Sequence, residues 1–250
     1  DFGGGTLDLS LVRLPESREN TGKVLFTSLK DEPKDNRAKV IAKTGVALGG
    51  SDIDQWILRE VLRRSGISLE DLGAGYAALL SACDNAKIAL STAETTEIAF
   101  QTGDGHYLLA FSRAELEALM TSQGFFSALR EALEKVMGLA HQKGVYREDI
   151  GHVLLVGGTS LMPSVQQTLD TFFRAITQRK RKVLTQMPTW PAQTWSVENT
   201  SIRVDKPFTA VVEGALLVSA GFGLEDQLAH GYGLRYLDPA SGQLRYDEII

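Results

Sequence analysis

Residues 1–8 read DFGGGTLD, in which two aspartates flank three consecutive glycines and a threonine. Glycines lack a Cβ, so such a backbone can approach an anion closely and turn its N–H groups toward it. Thr6 adds a hydroxyl donor. Asp1 and Asp8 are of the type that holds Mg²⁺, mainly through water. Two other turns share the design: Gly49-Gly50 before SDIDQWIL, and Gly157-Gly158 followed by Thr159. Both precede an expected helix, whose N-terminus favours negative charge. A single Gly-Gly pair before a helix reads first as tight packing. Three such turns, one with paired aspartates, point to the phosphates of a nucleotide. No Gly-Lys-Ser/Thr follows any of them, so this is not a Walker loop, and the Rossmann fingerprint does not fit either.

The elements that would carry these turns follow from periodicity. Leu7, Leu9, Leu11 and Leu14 nearly alternate with Asp8, Ser10 and Arg13, which predicts a half-buried strand. KVLFTSL (23–29) reads as its hairpin partner, and AKVIAKTGVAL (38–48) as a third extended segment. Ile53, Trp56, Ile57, Leu58, Val61 and Leu62 recur at helical spacing over roughly 52–65, and Gly66 stops them. A second helix at about 75–92 carries Leu79, Leu80, Cys83, Ala86, Lys87 and Leu90. TEIAFQTGDGHYLLAFS (96–112) is a hairpin signal, and Ser112 with Glu115 forms a capping box opening the next helix. Residues 125–141 are helical by the same spacing. HVLLVGG (152–158) reads as a strand buried on both faces, and 163–174 as a helix entered through Pro163. Residues 179–201 read as a long loop or hairpin insertion, 206–223 as an apolar helix, and 238–243 as a hairpin turn. Strands and helices in this order make an α/β layered domain.

Composition bounds the partners. The 250 residues are 43% hydrophobic and 23% charged, as in ordinary globular proteins. A net charge of −5 argues against nucleic acid as a partner. For that reason Arg179–Lys182 beside Trp190 and Trp195 reads as a solvated loop. No apolar run reaches the roughly 18 residues a membrane span needs, so no membrane partner is expected. Cys83 is the one cysteine, which excludes an internal disulfide and reads as core packing. The four histidines are scattered, and no metal site built on them is expected. The lack of a leading Met, with the chain starting inside a motif, is expected of a piece of a longer protein.

Four motifs in order carry a resemblance. DFGGGTLDLSLV resembles the second phosphate motif shared by actin, sugar kinases and heat-shock chaperone ATPases. VLLVGGTSLMPSVQQ resembles the adenosine motif of that superfamily in its chaperone form. LGGSDIDQWIL and ACDNAKIALS match in order and spacing, as does FFSALREALEKVMGLAHQKGVYREDIGHVLLVGG. Over about 1–174 and 206–223 the chain is thus similar to the DnaK-like heat-shock chaperone family, the seventy-kilodalton class.

The resemblance implies the second lobe of an actin-like (ribonuclease H-like) ATPase domain, of α/β class, with a smaller helix-plus-hairpin subdomain inserted. It would divide the chain into a core at 1–51 and 151–223, the inserted subdomain at 52–150, and a linker with the start of a β segment at 224–250. Asp1 and Asp8 would then serve the metal and water shell, with Asp1, Thr6 and Asp8 in the catalytic role. Gly3, Gly4, Gly5 and Thr6 would wrap the β- and γ-phosphates, and Gly49 and Gly50 would approach from the opposite side. Asp84, Lys87 and Ser91 match positions that hold the ribose and base, and Gly157, Gly158 and Ser160 line the adenosine pocket. Where the family commonly clamps adenine between two arginines, this chain has Ile88 and Leu161, which lack cation–π attraction. A further aspartate of the family corresponds to Phe208. The segment LEDQLAHGYGLRYLD (224–238) lacks the aliphatic linker cluster.

The implied parent binds ATP or ADP with Mg²⁺, hydrolyses ATP to control unfolded clients, and works in the cytoplasm. Its implied partners are its own first lobe and nucleotide-exchange or J-domain co-chaperones. Without that lobe, negligible turnover is expected. A non-catalytic partner-binding scaffold and, further off, a sugar or metabolite kinase are the alternatives.

Overall fold

The leucine alternation at the start of the chain becomes strand β1 (Leu7–Arg13), with Leu7 buried and Asp8 exposed. The computed structural model describes residues 1–14, 37–103, 105–174, 191–197, 200–204, 207–226, 233–237 and 244–248. Strand β1 pairs antiparallel with β2 (Ala38–Val46), placing Leu7 opposite Val46 and Asp8 opposite Gly45. A slip between Leu11 and Val12 marks a bulge. The partner expected at 23–29 lies outside the described residues.

Helix α1 (Gly50–Ser65) follows, burying Ile53, Ile57, Leu58, Val61 and Leu62 along one stripe. Each such side chain stabilises the fold by about 2 kcal/mol. Gly66, at φ 68°, ends it in the left-handed conformation that suits glycine. After the short α2 (Leu69–Leu72), helix α3 (Tyr76–Leu90) buries Leu79, Cys83, Ala86 and Leu90. It packs on α1 and on strand β3 (Thr95–Thr102). Strand β4 (Gly105–Ser112) closes the expected hairpin with β3, from Thr95 opposite Ser112 to Thr102 opposite Gly105. Ser112 then caps α4 (Arg113–Ser122): its amide donates to Glu115 Oε2 at 2.7 Å, and its Oγ accepts from the Glu115 amide at 3.2 Å. Helix α5 (Phe125–Gln142) packs across β1 and β2.

Strand β5 (His152–Leu154) leads through a short 3-10 turn at Gly158–Leu161 into α6 (Pro163–Arg174). Strands β6 (Thr194–Val197) and β7 (Thr200–Arg203) join β5 in the order β5-β7-β6, with β5 and β7 parallel. The apolar run at 152–158 is shorter as a strand than its sequence suggests, and Leu154 is 64% exposed, so it is not covered on both faces. Helix α7 (Ala210–Ser219) is apolar as expected, yet buries no residue. Strand β8 (Leu224–Glu225) adds to β2, and β9 (Gly233–Leu237) pairs with β10 (Leu244–Glu248) across 238–243. Among the described residues no helix is long and apolar enough to cross a membrane.

One packing cluster anchors the first glycine turn. Phe2 is buried and stacks on Phe125 of α5 at 5.2 Å, rings 4° from parallel. Trp56 of α1 meets the edge of the same Phe125 ring at 6.3 Å. Such aromatic pairs contribute about 1 kcal/mol each beyond the area they bury. The turn at residues 3–5 is therefore held from behind by two helices.

Candidate functional site

The three glycine turns are far apart in sequence and interlock in space. The Gly50 amide donates to the Gly3 carbonyl at 3.0 Å, and the Ser51 amide to the Gly4 carbonyl at 2.7 Å. The Thr159 amide donates to the Phe2 carbonyl at 3.2 Å, and Thr159 Oγ1 to the Gly3 carbonyl at 3.3 Å. Close approach explains the residue type at the junctions. A Cβ at Gly49 would overlap the Gly4 carbonyl, and one at Gly157 would overlap that of Phe2. Gly157 also has φ 86°, which side chains disfavour.

This interlocking uses up amides that the sequence left available for an anion. Those of Gly50 and Ser51 are committed to carbonyls, and the Gly49 amide donates to Asp52 Oδ2 at 2.8 Å. The Gly157 amide donates to Pro207 O at 2.7 Å. The amides of Gly4, Gly5 and Gly158 donate to no acceptor among the described residues. The donors that face an anion are therefore fewer than the glycines suggest.

Asp1 and Asp8 are brought together by the backbone. The Asp8 amide donates to Asp1 O at 2.8 Å and the Asp1 amino group to Asp8 O at 2.7 Å. Two residues that exchange both bonds lie directly opposite and project their side chains on one face. Glycines make room for both. A Cβ at Gly45 would lie 2.9 Å from Asp8 Oδ1, and one at Gly157 would lie 2.8 Å from Asp1 Oδ1. Thr6 Oγ1 donates to Asp8 Oδ2 at 2.7 Å, fixing that carboxylate. Mg²⁺ is bound through one or two carboxylates with phosphates and waters completing the shell, and this pair with its glycine cradle fits that demand. Among the described residues no group of three or more His, Cys, Asp or Glu side chains assembles into a fuller metal cage.

A cleft of about 470 Å³ opens beside these turns. Gly3 and Gly4 line it from the first turn, Gly50 from the second, and Gly158 and Thr159 from the third. Helix α3 and its end contribute Asp84, Lys87, Ile88 and Ser91. Leu161, Met162, Pro191 and Phe208 complete an apolar side. Of the residues expected at the site, Asp1, Gly5, Thr6, Asp8, Gly49, Gly157 and Ser160 do not line this cleft. Ser160 is buried and donates from Oγ to Gly157 O at 2.6 Å, so its hydroxyl locks the third turn.

Lys87 is more tightly committed than a ligand-binding lysine on a helix face. Its Nζ lies 2.7 Å from Asp54 Oδ1 and 3.0 Å from Asp84 Oδ1, and donates to the Gly50 carbonyl at 3.1 Å. The ammonium is thus surrounded by two carboxylates and a carbonyl. Asp54, on α1, is buried, and burial holds its carboxyl above the usual aspartate range against the opposing pull of Lys87. Sequence reasoning missed Asp54. The available signal was an aspartate between Ile53 and Ile57, on the stripe that faces the core. Gly45, Thr92, Met162 and Pro191 were missed as well, and no local pattern marks them.

Residues 1–184 match the family described as Hsp70 protein. Over 184 residues the chain is 30% identical to the "Chaperone protein DnaK" of Stenotrophomonas maltophilia (strain R551-3), an alignment covering 69% of this chain. It covers 26% of that relative, so the chain spans about a quarter of the relative's length. The family implies an actin-like ATPase fold, and the mixed α/β architecture with small sheets agrees with it. With three interlocked glycine turns inside the matched span, the chain belongs to the Hsp70 family.

Proposed function

We propose that the chain is the second lobe of a chaperone ATPase domain, and that its glycine turns and cleft form one side of an ATP–Mg²⁺ site. The observation that carries this reading is the interlock of Gly50 with Gly3 and of Thr159 with Phe2 and Gly3 around one cleft. Gly4, Gly5 and Gly158 have amides left for phosphate oxygens, and Thr6 and the Asp1–Asp8 pair stand beside them. The reaction is hydrolysis of the γ-phosphate by in-line attack of water, in which the protein mainly positions groups and stabilises charge. Bound Mg²⁺ would supply charge neutralisation on the β- and γ-oxygens. Asp1 and Asp8 orient its water shell, Thr6 holds Asp8, and Gly49 and Gly157 keep the turns in register.

At the other side of the cleft, Asp84 and Ser91 meet the ribose, Ile88 and Leu161 the base, and Lys87 joins by exchanging one of its three partners. The core is 1–51 with 151–223, the inserted subdomain 52–150, and 224–250 leads onward. The whole protein uses hydrolysis to control unfolded clients in the cytoplasm, with nucleotide-exchange or J-domain co-chaperones. Its first lobe closes the site over the uncovered α7, where Val211, Val212 and Leu216 are 58%, 62% and 64% exposed. The isolated chain binds ATP weakly and turns it over negligibly.

Phosphate release by the full-length protein tests the reading. Asp8→Ala should abolish it, and release undiminished by that change contradicts the proposed metal role. A second reading, a non-catalytic scaffold that keeps the fold for partner binding, is favoured by one observation. The residues in the adenine-clamp positions, Ile88 and Leu161, line the cleft without charge. ATP that binds without any phosphate release would select it.

A further inference from the structure

Phe208 is 71% exposed, yet it lines the cleft beside the third glycine turn. A Cβ at Gly158 would lie 3.4 Å from Phe208 Cε1, so the ring stands against that turn at van der Waals range. Its backbone is held there, because the Gly157 amide donates to the carbonyl of the preceding Pro207. An aromatic ring kept at a cleft wall and left open to solvent forgoes the burial that favours apolar surface. Occupancy of the cleft would recover it.

The other groups lining this space decide what fits. Lys87 is held in ion pairs with Asp54 and Asp84 and donates to the Gly50 carbonyl. The hydroxyls of Ser91 and Thr92 turn back to carbonyls of α3, at 3.4 and 3.3 Å. Apart from the Asp84 carboxylate and Thr159, whose Oγ1 donates to the Gly3 carbonyl, the other lining side chains are apolar: Ile88, itself 59% exposed, with Ala89, Leu161, Met162 and Pro191. A planar ring with polar edges and an apolar face meets those conditions, and the unengaged amides of Gly4 and Gly158 would take its attached phosphates.

We propose that Phe208 is the base-stacking residue of this cleft, receiving the planar heteroaromatic base of a nucleoside phosphate on its ring. The proposal rests on the nucleotide reading above and adds the group that holds the base. Base–aromatic stacking is worth roughly 1–3 kcal/mol by alanine substitution, so losing the ring weakens binding about tenfold. That loss falls on ligands with a base and spares those without one.

The test is calorimetric titration of the full-length protein with ADP and, separately, with pyrophosphate, each with Mg²⁺. Phe208→Ala should weaken ADP about tenfold and leave pyrophosphate unchanged, and Phe208→Trp should retain ADP. Because the side chain is exposed, thermal unfolding of both variants should match the parent. ADP bound equally well by Phe208→Ala and the parent protein overturns the proposal, as does equal weakening of ADP and pyrophosphate. A lower unfolding temperature with unchanged ADP affinity assigns the ring to packing against another part of the protein and likewise overturns it. A parent protein that binds neither ligand brings down the nucleotide reading itself. A parent that binds ADP no better than pyrophosphate removes only the base contact.

Discussion

Nζ of Lys87 sits 2.7 Å from Oδ1 of Asp54, joining α3 to α1 through an ion pair whose side chains are 12% and 11% exposed. Removing one partner of such a pair leaves the other charged and desolvated. Lys87→Met, which leaves the buried Asp54 carboxylate without its cation, should therefore destabilise the protein by about 3 kcal/mol in urea unfolding. The double change Asp54→Asn with Lys87→Met should cost less than the sum of the single changes. Strict additivity would mean that the two side chains do not act as a pair.

Two glycines give opposite expectations. At Gly49 a Cβ would overlap the carbonyl of Gly4, so Gly49→Ala must displace the first turn. A loss of about 1–3 kcal/mol is expected, with weaker nucleotide binding. Gly138 lies inside α5, exposed, with nothing within 4 Å of an added Cβ. There Gly138→Ala should stabilise by about 0.5–1 kcal/mol. Equal effects at the two positions, read by thermal unfolding, would contradict the interlock.

Acid stability carries the mark of Glu60. Hydrogen bonds from Arg63, with further help from Arg64, bring its carboxyl down from 4.5 to about 2. A depressed carboxylate contributes stability that is present above the unfolded value and lost as pH falls through the folded one. Between pH 4.5 and about 2 the Glu60→Gln variant should therefore lose less stability than the parent. At neutral pH it should be about 0.5–1 kcal/mol less stable, because surface ion pairs are weak. Asp54, raised by burial, works in the other direction: its contribution is present below 3.8 and fades as pH rises. Unfolding followed across this range should show a shallower acid slope for Glu60→Gln, and an unchanged slope would remove Glu60 as its source.

Cys83 is buried, and burial pushes its thiol up to about 12. The reactive species is the thiolate, so native Cys83 should resist a disulfide reagent at pH 8 and react only as the chain opens. Prompt labelling with helical circular dichroism retained would place the thiol at the surface instead.

Much of the fold was legible because its signals are local. The helix at 163–174 begins at Pro163 and ends at Arg174, as its spacing predicts. The box of Ser112 with Glu115 sits where two residue types three apart must put it. Gly-Asp-Gly between apolar runs gave the β3–β4 pair. What depends on distant partners was less legible. Pairing of β1 with β2 rests on a register fixed by packing under α5, and nothing near Leu7 in sequence names Val46 as its neighbour. Leu154 looks like any core leucine, but its exposure depends on what covers the sheet. At the site, glycine spacing located the three turns, whereas the loss of the Gly50 and Ser51 amides to carbonyls appears only once the turns meet. Asp54 was invisible for the same reason: its partner is 33 positions away on another helix.

The three interlocked turns are proposed above as one side of an ATP–Mg²⁺ site. Calorimetric titration of the full-length protein with ATP and Mg²⁺ tests it most directly. Saturable binding at one site, weakened by Gly49→Ala, is the predicted result. A protein that is folded by circular dichroism and gives no binding heat, at any ATP concentration up to the millimolar range, would contradict it.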